Sequence, residues 1–154
     1  MNSAKKAFPG FHLDDQSGKT WTEKDLQGSW TVVYAYPKDM TPGCTVEAHE
    51  FSDLHGSFKK LGVQIFGLSP DDITSHMKFC EKDGITFPLL ADTEQKLLKS
   101  LGSWMKKSMY GREYMGVDRS TWLVDPEGTI VKEWHQVKAA GHAQEVLNAV
   151  KESQ

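Results

Sequence analysis

The sequence is short of cysteine. Only Cys44 and Cys80 occur in 154 residues, too few for a disulfide-stapled secreted scaffold or a four-cysteine zinc site. It also lacks any run of about 18 apolar residues, so no membrane-spanning helix is expected. Lys5 and Lys6 near the start are not followed by an apolar stretch, so no secretory signal is read there. A positive charge excess is missing too. Eighteen Lys and Arg against 21 Asp and Glu leave a net charge of −3, which argues against nucleic acid or an anionic membrane as partner. The six histidines, at 12, 49, 55, 76, 135 and 142, show no compact ligand spacing. They read as scattered surface residues, and neither a metal nor another cofactor is expected. With no repeat, low-complexity tract or linker, residues 1–154 read as a single domain, long enough to bury a core without staples. The expected compartment is a reducing cytoplasm, where two thiols stay free unless they do redox work.

What is present alternates between short apolar runs and helical stretches. Trp30–Tyr36 is dense in β-branched and aromatic residues and reads as a buried strand. From Cys44, apolar residues at Ala48, Phe51, Leu54 and Phe58 keep a helical period, which Gly62 ends. Val63–Leu68 reads as a second buried strand. Ser69-Pro-Asp-Asp72 reads as a helix start, with Ile73, Met77 and Cys80 on one face. Phe87–Leu90 reads as extended, Glu94–Leu101 as a helix, and Gly141–Lys151 as a last helix. Residues 11–13 with 19–21, and 119–124 with 129–134, read as hairpins. Gly102–Asp118 holds Trp104, Met105, Met109, Tyr110, Tyr114 and Met115 without clean periodicity. It reads as a loop, folded over a site, forming a contact surface, or packed under the domain. Strand–helix–strand units followed by a hairpin give an α/β fold with a central mixed sheet, helices on both faces and an N-terminal β-hairpin.

The informative stretch is Tyr36-Pro-Lys-Asp-Met-Thr-Pro-Gly-Cys-Thr-Val-Glu47, where the first buried strand hands over to a helix. Backbone N–H groups in a helix's first turn lack intrahelical partners and favour an anion, so a cysteine there is favoured as thiolate. Gly43 permits close approach of a reactant. Pro37 and Pro42 stiffen the loop. The Thr41 hydroxyl suits either positioning of a small polar substrate or capping of the helix. By itself Cys44 also fits the commoner role of a free cysteine, a small buried hydrophobe.

Pro37-x-x-x-Thr41-x-x-Cys44 resembles the active-site motif of the peroxiredoxins, thiol peroxidases of thioredoxin-like fold. The longer Tyr36-Pro-Lys-Asp-x-Thr-Pro-Gly-Cys-Thr is similar to the bacterioferritin comigratory protein, or PrxQ, subfamily. Gly18-Lys-Thr, Asp25-Leu-x-Gly28, Trp104, Met109-Tyr-Gly111, Gly116 and Arg119-Ser-Thr-Trp-Leu-Val-Asp125 extend the similarity over residues 11–150. The resemblance implies a peroxidase acting on hydrogen peroxide and organic hydroperoxides. Cys44 would be the peroxidatic nucleophile. Arg119 would set its guanidinium beside the sulfur and stabilise charge moving onto the oxygens. Thr41 would hydrogen-bond the peroxide together with backbone N–H groups near Gly43 and Cys44, and Pro37 would shield the sulfur. Glu47 would orient the arginine, or simply complement the helix dipole.

Many members of the subfamily carry a resolving cysteine five residues after the first; here that position is His49, read as a helix-surface residue. The resemblance then leaves Cys80 as resolving cysteine, closing an intramolecular disulfide that a thioredoxin-type dithiol reduces. The alternatives are a one-cysteine peroxidase with an external thiol and a non-catalytic redox sensor. Cys44-Thr-Val-Glu47 is not the Cys-x-x-Cys of a thiol–disulfide oxidoreductase. Gly111–Gly116 has neither the preceding strand nor the following helix of a nucleotide loop. Monomers are expected by the same resemblance.

Overall fold

A computed structural model describes residues 6–154. Met1–Gly10, where no leader was read, lies partly outside the described residues. The chain opens with β1 (Lys6–Ala7), β2 (His12–Asp14) and β3 (Thr20–Thr22), then a 3-10 turn at Glu23–Leu26. It continues through β4 (Trp30–Ala35), α1 (Pro42–Lys60), β5 (Val63–Ser69), α2 (Ile73–Asp83), β6 (Leu89–Ala91) and α3 (Lys96–Ser100). It ends with β7 (Trp104–Met109), β8 (Arg112–Val117), β9 (Ser120–Val124), β10 (Thr129–Trp134) and α4 (His142–Ser153). The main sheet has the order β1-β10-β9-β4-β5-β6. β4, β5 and β6 run parallel through helical crossovers; β9 pairs antiparallel with β4, β10 antiparallel with β9, and β1 antiparallel with β10.

Period-two alternation splits the apolar residues between two cores. On one face Val32, Tyr34, Tyr36, Ile65 and Leu123 meet Cys44, Ala48, Phe51 and Phe58 of α1, Phe79 of α2 and Val146 and Val150 of α4. On the other, Val33, Ala35, Phe66, Leu68 and Trp122 meet Leu97 and Leu98 of α3 and Leu26. Each fully buried large side chain contributes about 2–3 kcal/mol of transfer free energy. Both crossovers place α1 and α2 on the same face, as right-handed βαβ units require when the strand order advances in one direction. The N-terminal hairpin β2–β3 stands outside the main sheet. It is stapled to its β6 edge by Gln16, whose amide donates to Phe87 O at 3.0 Å and accepts from Leu89 N at 2.8 Å. That side chain shields an otherwise open strand edge.

Four local readings change. Helix α2 starts three residues late: Ser69 completes β5, and the cap is Asp72, whose Oδ1 accepts from Ser75 N at 2.8 Å. Residues 104–117 form a hairpin, β7–β8, rather than a loop. Its two-residue tip, Tyr110-Gly111, has φ of 52° and 78°, the positive values that hairpin turns favour. Tyrosine where Asn or Asp is usual hid the signal. Trp104 and Val117 anchor it to the core on the other face of the sheet from the one that includes Cys44. Met77 is exposed rather than inward. The histidines are not all surface residues: His76 and His142 are buried, and His55 is nearly so. Burial holds the pKa of His55 and of His142 below the ordinary value. Among the described residues no helix is long and apolar enough to cross a membrane, and no group of three or more His, Cys, Asp and Glu is placed to hold a metal ion.

Candidate active site

Strand β4 ends at Ala35, and the chain turns through Tyr36–Thr41 into α1. Pro42 opens the helix, at a position where a missing N–H costs nothing. Thr41 has the extended backbone of an N-cap, but its hydroxyl makes no cap bond; it donates to Lys38 O at 2.8 Å. Thr45 N–H makes the first turn's bond, to Thr41 O at 2.9 Å. The N–H groups of Gly43 and Cys44 stand in that first turn, where donors have no carbonyl four residues back.

Cys44 is buried, and its Sγ accepts from Arg119 Nη2 at 3.4 Å. The other arm of the guanidinium, Nη1, donates to Glu47 Oε1 at 2.6 Å. Arg119 sits between β8 and β9 on a clamped backbone. Its carbonyl accepts from Val137 N at 2.9 Å, and the flanking Asp118 N donates to Ser103 O at 2.7 Å. Gly43 makes room for it: a Cβ there would lie 3.2 Å from Nη2. Of the two readings of Glu47, the arginine contact is the one the geometry displays. Its carboxyl is wholly buried, and Oε2 has no partner among the described residues. Burial pushes its pKa up to about 7, and the adjacent Arg119 charge opposes that rise. The Tyr34 hydroxyl, also unpartnered, belongs to the same wall. Burial first, then the charges of Glu47 and Cys44, keep it protonated.

Pro37 and Gly43 are half-buried beside these groups in the sequence. Cys80 lies in the last turn of α2, half-buried, and both cysteines are free thiols. Burial, then the negative charges of Asp39 and Asp15, push the Cys80 thiol up to about 12. His49 is exposed, and its Nε2 reaches Asp83 Oδ1 at 3.0 Å, linking α1 to α2. The geometry thus gathers Cys44, Glu47 and Arg119 into one bonded set, with Gly43 against the guanidinium and Thr41 at the N-cap of the same helix, and leaves Cys80 on another helix, α2.

Residues 4–133 match the AhpC/TSA family. The chain belongs to the AhpC/TSA family. It is 46% identical over 144 residues to Peroxiredoxin Bcp of Bacillus subtilis, covering 94% of this chain and 92% of that one. A cysteine-to-serine mutant of Xanthomonas campestris Peroxiredoxin Q superposes with a TM-score of 0.90 at 42% identity, covering 94% and 92% of the two chains. A structure of the Xanthomonas campestris bacterioferritin comigratory protein, concerned with its alkyl peroxide reduction activity, gives 0.89 at 41% identity, with 93% and 91% covered. This AhpC/TSA chain is therefore a peroxiredoxin of thioredoxin-like fold, a thiol-dependent peroxidase whose substrates are peroxides.

Reasoning from sequence missed a second polar set beside the first. Asp39, Ser75 and His76 are joined by hydrogen bonds under the loop that leads to Cys44. Asp39 stood inside the quoted motif. Its burial, in a polar loop, had no periodic signal to reveal it.

Proposed function

We propose that Cys44 is the peroxidatic nucleophile and Cys80 the resolving thiol of a cycle completed by a dithiol reductant of thioredoxin type. The observation that carries this is the fork of Arg119, with one arm on Cys44 Sγ at 3.4 Å and the other on Glu47 at 2.6 Å. A guanidinium fixed there stabilises the thiolate and the charge that moves onto the peroxide oxygens. The thiolate attacks one peroxide oxygen. The S–O bond forms, the O–O bond breaks, and the leaving oxygen takes a proton and departs as water or alcohol, leaving Cys44 as the sulfenic acid. Thr41 has spent its proton on Lys38 O, so its oxygen is free to accept the peroxide O–H, while the N–H groups of Gly43 and Cys44 face the oxygens. Pro37 screens the sulfur from water.

Cys80 sulfur then attacks the sulfenic sulfur. The S–S bond forms, the S–O bond breaks, and hydroxide leaves as water with the Cys80 proton. The Xanthomonas campestris Peroxiredoxin Q has been solved with either of two cysteines changed to serine, at the same separation as Cys44 and Cys80. Both thiols are free, Cys44 in the first turn of α1 and Cys80 in the last turn of α2, and a disulfide between them needs Cα atoms within about 7 Å and the sulfurs in bonding contact. Organic hydroperoxides enter the substrate range through the alkyl peroxide reduction of that relative. The protein is proposed to work as a cytoplasmic, single-domain monomer.

The thiol pushed up to about 12 at Cys80 favours a second reading, in which an external thiol resolves Cys44. Mapping disulfides by mass spectrometry after one equivalent of peroxide decides between them. The expected result is a Cys44–Cys80 crosslink, with Cys44→Ser inactive and Cys80→Ser stalled at the sulfenic acid. Undiminished turnover of Cys80→Ser with thioredoxin would transfer the resolving role to an outside thiol.

A further inference from the structure

Asp39 and His76 form a wholly buried contact between the loop that carries the site and the helix that carries Cys80. Asp39 Oδ2 lies 2.7 Å from His76 Nδ1 and accepts from Ser75 Oγ at 2.8 Å. Asp39 Oδ1 accepts from Tyr36 OH at 2.6 Å, and Asp39 N–H donates to Asp71 Oδ2 at 2.8 Å. The far ring nitrogen of His76 donates to Leu90 O at 3.0 Å. That bond fixes the ring's orientation, with Nδ1 turned to the carboxylate. Every polar atom of the two side chains is used, within a dry interior where an unmatched group is costly. Immediately after Asp39, Met40 is held at φ 63°, a left-handed value unfavourable for methionine.

The network has one member set on each of two elements. Tyr36 and Asp39 belong to the segment entering α1; Asp71, Ser75 and His76 belong to the entry and first turn of α2. None of them touches Cys44 or Arg119 among the bonds described above. Yet those same two elements carry the two free thiols, Cys44 in the first turn of α1 and Cys80 in the last turn of α2, so a bond between the sulfurs must work against whatever fixes one element on the other. We propose that the Asp39–His76 pair is a latch that holds α2 against the peroxidatic loop and sets how fast Cys80 resolves oxidised Cys44. It acts as a positioning pair, not through contact with peroxide. While the latch is closed the sulfenic acid persists and is open to a second peroxide, which carries it to the sulfinic acid. Opening it frees Met40 from its left-handed backbone and lets the helices part.

The proposal rests on the resolving role of Cys80, so the test separates the two. The disulfide map of the parent protein checks that role by itself. For the latch, His76→Gln and the milder Ser75→Ala are compared with the parent, both first shown to be folded by circular dichroism. Hydrogen exchange on the reduced protein reads the amides of residues 73–83 without any disulfide chemistry. Stopped-flow tryptophan fluorescence then separates oxidation of Cys44 from the following resolution step. The expected outcome for His76→Gln is an oxidation rate within about twofold of the parent. Its resolution should be about tenfold or more faster, with lower α2 protection and less sulfinic acid at high peroxide. Ser75→Ala should move the same readings the same way by a smaller factor. Unchanged α2 protection and unchanged resolution in both variants would overturn the latch even if the parent forms the crosslink. Equal changes in the oxidation and resolution steps would also overturn it, reducing the pair to general support of the fold.

Discussion

Glu47 spends one carboxylate oxygen on Arg119 and leaves the other buried, without a partner among the described residues. In the folded protein it keeps its proton up to about pH 7, whereas the ordinary value is 4.5. Between those values the fold binds a proton that the unfolded chain has released. Stability from this group therefore falls as pH rises through the window. Glu47→Gln abolishes that dependence. Between about pH 5 and about pH 8, urea titrations should shift the stability difference in the variant's favour by about 1–3 kcal/mol. Activity runs the other way. Above about pH 7 the carboxylate pairs with Arg119 and fixes its fork on Cys44; below it the neutral acid holds the arginine less firmly. The single-turnover oxidation rate should fall as pH drops through that region in the parent. In Glu47→Gln this limb should vanish, with a lower rate at high pH. A variant profile superimposable on the parent's would remove Glu47 from control of the arginine. At this scale, the contact of Cys44 with Arg119 was legible because the motif and the downstream Arg-Ser-Thr stretch name both residues. Asp39 and His76 were not. A lone histidine in a helix carries no mark of the carboxylate that faces it 37 residues away in the chain.

The elements show the same division between what a pattern reveals and what only packing reveals. β4 and β5 were legible as unbroken apolar runs because both of their faces are buried. β1 was not, since two residues, Lys6 and Ala7, hold no period and are placed only by pairing with Ile130 and Thr129. The β7–β8 hairpin was obscured because its outward apolar residues break the alternation that marks a half-buried strand. Its tip is open to solvent, with Tyr110 97% exposed and Met109 54% exposed. Its base packs on the core opposite Cys44. Trimming the tip with Met109→Ser and Tyr110→Asn should therefore leave the ratio of rates with cumene hydroperoxide and hydrogen peroxide unchanged within about twofold. Tyr110→Asn should also suit the positive φ at that position better than tyrosine does. A several-fold loss confined to cumene hydroperoxide would place the hairpin at the peroxide's apolar group instead.

Across the whole molecule the sheet separates two cores, and only one of them includes Cys44, the proposed nucleophile. Phe51 of α1 stacks on Tyr34 at 4.6 Å between ring centroids, in the core that includes Cys44. Leu98 of α3 is equally buried but lies beneath the other face. Deleting the three outer side-chain carbons in Leu98→Ala should cost about 2–5 kcal/mol, the transfer loss plus the cavity left behind. Phe51→Leu keeps most of the volume and should cost less, about 1–2 kcal/mol. If stability alone governed the active site, Leu98→Ala would be the slower enzyme. The layering reverses that order. The first turn of α1 rests on the packing of Tyr34, Ala48 and Phe51, so a ring lost there shifts Cys44 against an Arg119 held independently by its own backbone bonds. A misplacement well under 1 Å is enough to loosen a contact of 3.4 Å. In buffer where both variants are folded, the peroxide oxidation rate should drop about tenfold for Phe51→Leu and stay within about twofold of the parent for Leu98→Ala. Urea midpoints should rank the two variants the opposite way. Parallel ranking of rate and stability would mean that the sheet does not insulate the site from the far core.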